Sequence, residues 1–186
     1  MPFIQIQFKN IYFDCNVQKM CVSPAFTCPN YNHSWSCPPV APYLEEEIST
    51  YKKYYLIYSQ FNLESYVKEM KKKHPKRSEQ RIKNAFYMKS VYRNDLSKEI
   101  DKFLDEYQDP YKEKLVLYVG SCIVCQNKKD GKCTYDSGDP CRYPDKRRYS
   151  MEAVGIEVIK TVLNLKSEIE YPSNKYSYQF GLVCFK

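Results

Sequence analysis

A chain of 186 residues that is 43% apolar is long enough for one domain with a hydrophobic core plus substantial loops. No apolar stretch approaches the length of a bilayer span, and the start Met1-Pro2-Phe3-Ile4-Gln5-Ile6 lacks the basic and apolar regions of a secretory signal. These features exclude a helical membrane protein and predict a cytoplasmic one. The net charge of +7 is local, because eight Lys or Arg stand against Glu69 and Glu79 between Lys68 and Lys83.

In chain order, Phe3, Ile4, Ile6 and Phe8 read as a first strand. Residues 14–42 form a loop that holds four cysteines and five of the eleven prolines. A helix is expected near Tyr43, where Glu45, Glu46 and Glu47 complement the positive end of its dipole. Tyr54 to Phe61 reads as a second strand. Leu63, Tyr66, Val67 and Met70 keep helical spacing up to His74-Pro75, and Ser78 is placed to cap a following helix with Ile82, Ala85 and Phe86 on one face. Leu96, Ile100, Phe103, Leu104 and Tyr107 continue the helical period. Residues 63–107 therefore read as a helical hairpin.

Leu115 to Val119 is a compact strand that runs into Gly120 and Cys122, and residues 121–149 form a second cysteine loop. A long helix is expected from an N-cap at Ser150 through Leu165, with Gly155 inside it marking a close approach by a neighbour. Tyr178 to Phe185 closes the chain as a last strand. This order predicts a single α/β domain over 1–186: a small mixed sheet packed by helices, with two cysteine-rich metal-binding loops.

The nine cysteines fall into two quartets and one remainder, Cys184, which reads as a small buried apolar residue. Cys15, Cys21, Cys28 and Cys37 are spaced x5, x6 and x8, and Cys122, Cys125, Cys133 and Cys141 are spaced x2, x7 and x7. A reducing compartment and an odd cysteine count argue against disulfides and for metal ligation. Structural zinc favours a tight Cys-x2–4-Cys knuckle in each half of a site, and only the second quartet has one. The wide spacings and the prolines beside Cys28, Cys37 and Cys141 favour two [4Fe-4S] clusters, with zinc as the alternative. Ligands from different quartets could share a site if the fold brings the loops together. His33 reads as a solvated loop residue or a substitute ligand. Trp35 is placed to shield a cluster or to pin its loop, Arg142 to hydrogen-bond a cluster sulfur, and Glu152 to support the ligands from beside the second quartet or to complement a helix dipole.

The segments Ser34-Trp35-Ser36-Cys37-Pro38-Pro39, Gly120-Ser121-Cys122-Ile123-Val124-Cys125, Pro140-Cys141-Arg142-Tyr143-Pro144 and Ser150-Met151-Glu152-Ala153-Val154-Gly155-Ile156-Glu157-Val158 together resemble one family. It is the cysteine-rich "predicted metal-binding protein" family of unknown function, found mostly in anaerobic archaea and bacteria. The resemblance implies that all eight quartet cysteines are metal ligands and that the setting is anaerobic metabolism.

The residues support three functional readings. The first is an iron–sulfur electron carrier or assembly partner that serves an anaerobic enzyme complex and docks an acidic protein through Lys71, Lys72, Lys73, Lys76, Arg77 and Arg81. The second is a zinc-stabilised module that binds nucleic acid or protein, disfavoured for nucleic acid because the tyrosines are dispersed and no known binding motif appears. The third is an enzyme with an open iron site, for which no separate acid–base constellation stands out.

Overall fold

Two ten-residue strands, rich in aromatic and branched residues, build the centre of the protein. In the computed structural model, residues 2–24, 26–89, 93–128, 131–165, 173 and 175–186 are described. The first half contains β1 (Phe3–Ile6), β2 (Val22–Ser23), β3 (Phe26–Thr27), α1 (Glu45–Ser49), β4 (Lys53–Asn62), α2 (Leu63–Lys73) and α3 (Glu79–Lys89). The second half contains α4 (Arg93–Glu106), β5 (Lys114–Tyr118), α5 (Val124–Asn127), β6 (Tyr149–Ser150), α6 (Val158–Asn164) and β7 (Tyr176–Phe185).

The mixed sheet has the order β1-β4-β7-β5-β6, and β2 and β3 form a separate hairpin. Strands β4 and β7 pair antiparallel along their full length, from Lys53↔Phe185 to Asn62↔Tyr176. Among the described residues only β5 and β6 are parallel, through Leu117↔Tyr149 and Tyr118↔Ser150. A parallel pair requires a long crossover. Here the second cysteine loop is that crossover.

Side chains alternate across a strand, so the sheet supports two apolar layers. Tyr54, Leu56, Phe180, Leu182 and Cys184 face Ile48 of α1, Val162 of α6 and the turn residues Met151 and Val154. Tyr55, Ile57, Val183 and Phe185 face Leu96, Ile100 and Phe103 of α4. Gly181 lets α4 come close: a Cβ there would lie 2.7 Å from the Leu117 carbonyl oxygen and 2.9 Å from Ile100 Cδ1. A smaller cluster of Leu63, Val67, Ile82 and Phe86 joins α2 to α3. Ser78 caps α3 as expected, its Oγ accepting the Arg81 N–H at 3.2 Å. The basic cluster occupies the end of α2, the turn and the start of α3.

The long helix expected from Ser150 is replaced by a shorter arrangement. Ser150 closes β6, and its Oγ accepts the Ala153 N–H at 3.1 Å to start a single 3₁₀ turn over Glu152–Val154. Gly155 then adopts φ 94, a left-handed conformation that interrupts the helix. The expected close neighbour exists: a Cβ on Gly155 would meet the Tyr43 ring at 2.2 Å. Glu157 caps α6 instead, its carboxylate accepting the N–H groups of Ile159 and Lys160.

Candidate metal centre

A small hairpin organises the first cysteine loop. Strands β2 and β3 pair Val22 with Thr27 and Ser23 with Phe26, so the residues just outside the hairpin, Cys21 and Cys28, become neighbours. Their backbones are joined by a bond from Cys28 N–H to Cys21 O at 2.8 Å, and their thiols are in hydrogen-bond contact. A six-residue spacing that resembles no zinc knuckle thus becomes one local pair.

Burial raises the Cys21 thiol above its ordinary value, and repulsion from Cys28, Cys37 and Glu152 adds to the rise. Burial also raises Cys37, opposed by hydrogen bonds from Ser36 and Ser34, with Cys28 and Cys122 within electrostatic reach. Cys21 and Cys37 are thus held as thiols in part by their cysteine neighbours, and a bound cation would favour their thiolates. Cys15 is exposed, at the loop's entrance, and acts electrostatically on Tyr43. That entrance is fixed to the Gly155 turn by Asp14 N–H donating to Gly155 O at 2.9 Å and by Gln18 Nε2 donating to Ala153 O at 2.8 Å.

The second quartet opens onto one space. Cys122, Cys125, Cys133 and Cys141 all line a cavity of about 360 Å³, with His33, Trp35, Tyr143 and Arg147 on the same wall. Among the described residues, no three His, Cys, Asp or Glu side chains are already gathered around one ion-sized point. The four cysteines share this cavity with a dozen other lining residues.

The tip of the first loop forms part of that wall. The Ser36 hydroxyl accepts the Cys122 N–H at 3.1 Å and lies 3.9 Å from Cys37 Sγ. Trp35 Nε1 donates to Asp139 O at 3.2 Å, and the indole meets Tyr135 edge-on with centroids 4.9 Å apart. The Tyr135 hydroxyl donates to Asn32 Oδ1 at 2.7 Å, and His33 Nδ1 lies 2.8 Å from Asp136 Oδ1. Two loops about a hundred residues apart are joined into one unit. Trp35 pins its loop through these contacts and is one of the residues that line the cavity.

Arg142 is exposed and donates from Nη1 to Lys132 O at 2.9 Å, bracing the stretch between Cys133 and Cys141. The guanidinium on the cavity wall belongs to Arg147, whose Nη1 donates to Trp35 O at 3.3 Å. In the sequence Arg147 is one of three consecutive cations, and only the docking of Trp35 distinguishes it. Glu152 is exposed on its 3₁₀ turn, on the side of Cys21. Cys184 is fully buried in the core, and burial pushes its thiol far up.

The family model described as "Predicted metal-binding protein (DUF2284)" matches residues 4–185, nearly the whole chain. The chain belongs to this family. No curated protein and no solved structure matches it. As a member of a predicted metal-binding family, the protein carries its cysteine-rich loops on a fold that holds both together. Among its described residues no helix is long and apolar enough to cross a membrane.

Proposed function

We propose that this protein is a cytoplasmic iron–sulfur protein that holds two four-iron clusters and passes electrons to, or helps assemble, a partner enzyme in anaerobic metabolism. The observation that carries this reading is the single cavity lined by all four cysteines of the second loop. Its donor set suits an inorganic core of several atoms. Cys122, Cys125, Cys133 and Cys141 hold one cluster, and Cys15, Cys21, Cys28 and Cys37 hold the other. Such clusters store and release single electrons.

The protein's own residues set the conditions at that site. Trp35 and Tyr143 limit the approach of water, which lowers the local dielectric. Ser36 takes the Cys122 N–H and so fixes the backbone at the first ligand. Arg147 brings a fixed positive charge to a wall that would otherwise carry only thiolate charge. The Ser36 hydroxyl, 3.9 Å from Cys37 Sγ and bonded by the Cys122 N–H, supports a reading in which the two sites adjoin. The basic turn containing Lys72, Lys73, Lys76 and Arg77 is exposed and is the docking surface for an acidic redox partner.

Electron paramagnetic resonance of anaerobically purified, chemically reduced protein tests this reading. The expected spectrum contains two cluster signals, of which Cys125→Ser removes one. A silent spectrum from colourless protein would make the cysteines zinc scaffolding.

A further inference from the structure

Beside the cysteine cavity runs a second groove of about 500 Å³, whose lining includes Lys114, Lys128, Lys146, Arg147 and Arg148 against the single carboxylate of Asp145. It shares Val124 and Arg147 with the cysteine cavity, so these residues separate the two spaces. The sequence marks only the run Lys146-Arg147-Arg148. Lys114 arrives from β5 and Lys128 from the residue after α5.

Most of these cations rest on aromatic rings. Arg148 lies over Tyr118 at 4.2 Å, Lys128 over Tyr143 at 5.1 Å, Arg147 over Tyr149 at 5.6 Å, and Lys114 over Tyr111 at 5.8 Å. Arg148 also donates to Ser97 Oγ at 3.4 Å. None of the five forms an ion pair with a described residue, while six other ion pairs are present elsewhere. Two further acidic groups act in the vicinity, Asp101 of α4 within electrostatic reach of Tyr118 and Glu47 of α1 within reach of Tyr149. In addition, Arg147 Nε is buried with no hydrogen-bond partner. An aromatic face positions a cation without neutralising it. A buried donor without an acceptor is costly unless a ligand or water completes it.

We propose that this groove binds a small polyanion bearing two or more phosphate or carboxylate groups, held next to the cysteine centre by Arg147 and Arg148 with Lys128 and Lys146 at the rim. Forked guanidinium donors suit paired anionic oxygens, and the lysines add point charges. The aromatic rings of Tyr118 and Tyr149 hold the guanidinium planes in position. The site stands on its own charges and does not depend on which metal the cysteines hold.

Isothermal titration of the full, anaerobically purified protein with pyrophosphate and, separately, with citrate tests the assignment. The expected result is saturable binding of one molecule per chain for at least one of the two, and the stronger ligand tells phosphate from carboxylate. The double variant Lys128→Gln/Lys146→Gln changes two exposed side chains and should weaken binding tenfold or more, with metal content unchanged. Arg148→Lys keeps the charge but loses the fork and should also weaken binding. Lys72→Gln on the α2–α3 turn serves as a control and should leave the affinity unaltered. No binding of either ligand, or an equal loss from the Lys72 variant, would overturn the proposal.

Discussion

The backbone N–H of Cys122 donates to the Ser36 hydroxyl across 3.1 Å, joining the two cysteine loops at Cys122 itself and at the residue before Cys37. Ser36 is only 1% exposed, and its hydroxyl also meets Ser34 Oγ at 3.0 Å. Removing the hydroxyl leaves a half-buried donor without its acceptor. Ser36→Ala should therefore cost about 1–3 kcal/mol in denaturant unfolding and speed the loss of metal to a chelator. A variant that matched the parent in both measurements would mean that the two loops are stabilised independently.

Gly155 combines φ 94 with contact against the Tyr43 ring, and the two effects can be separated. Gly155→Ala should destabilise the fold in thermal melts by more than the backbone cost alone. Adding Tyr43→Ala relieves the clash and leaves about 1–2 kcal/mol of left-handed backbone strain. Complete rescue by the second substitution would show that the turn relaxes and that φ is not fixed there.

Gly181→Ala places a methyl group against a strand carbonyl at 2.7 Å, and a β-sheet backbone yields less readily than a side chain. The expected loss is about 1–3 kcal/mol, read as a lower unfolding midpoint with the fold retained. A neutral result would place the Leu117 carbonyl of β5 and Ile100 of α4 further from Gly181 than the present packing.

Burial pushes the pKa of the Cys184 thiol well above its ordinary value of 9.0 and so keeps it protonated in the folded chain. Below that value the folded and unfolded chains are equally protonated at this group. Above it the unfolded thiol ionises while the folded one does not, so stability falls as pH rises from the unfolded value toward the folded one. Mass spectrometry after alkylation at about pH 8, where an ordinary thiol is partly ionised, should find Cys184 unmodified until denaturant is added. A Cys184→Ala variant should show a shallower alkaline loss of stability.

If the basic turn is the docking surface proposed above, Lys72, Lys73 and Lys76 changed together to Gln should slow electron transfer to an acidic protein acceptor by about tenfold at low salt. The difference should vanish at high salt. A salt-independent effect would assign these residues to folding rather than to encounter.

The long strands and the α2 and α3 helices were legible because each carries its period over many residues, as in Tyr54 to Phe61 and Leu63 to Met70. The span from Met151 to Leu165 misled because a 3₁₀ turn and an α-helix both place apolar residues three apart. Met151 and Val154 belong to the turn, and Gly155 breaks the run before α6. The quartets were visible as spacing, and their relation was not. The pairing of Cys21 with Cys28 depends on two-residue strands too short to carry a pattern. The contact of Ser36 with Cys122, and the place of Arg147 between cavity and groove, follow from a docking between segments far apart in sequence.

The most direct test of the two-cluster assignment is the content of iron, acid-labile sulfide and zinc per chain after purification without oxygen. About eight irons and eight sulfides, with a broad visible absorption that bleaches on reduction, are the expected result for two four-iron clusters. One or two zinc ions in a colourless solution would contradict it and leave the cysteine loops as structural supports.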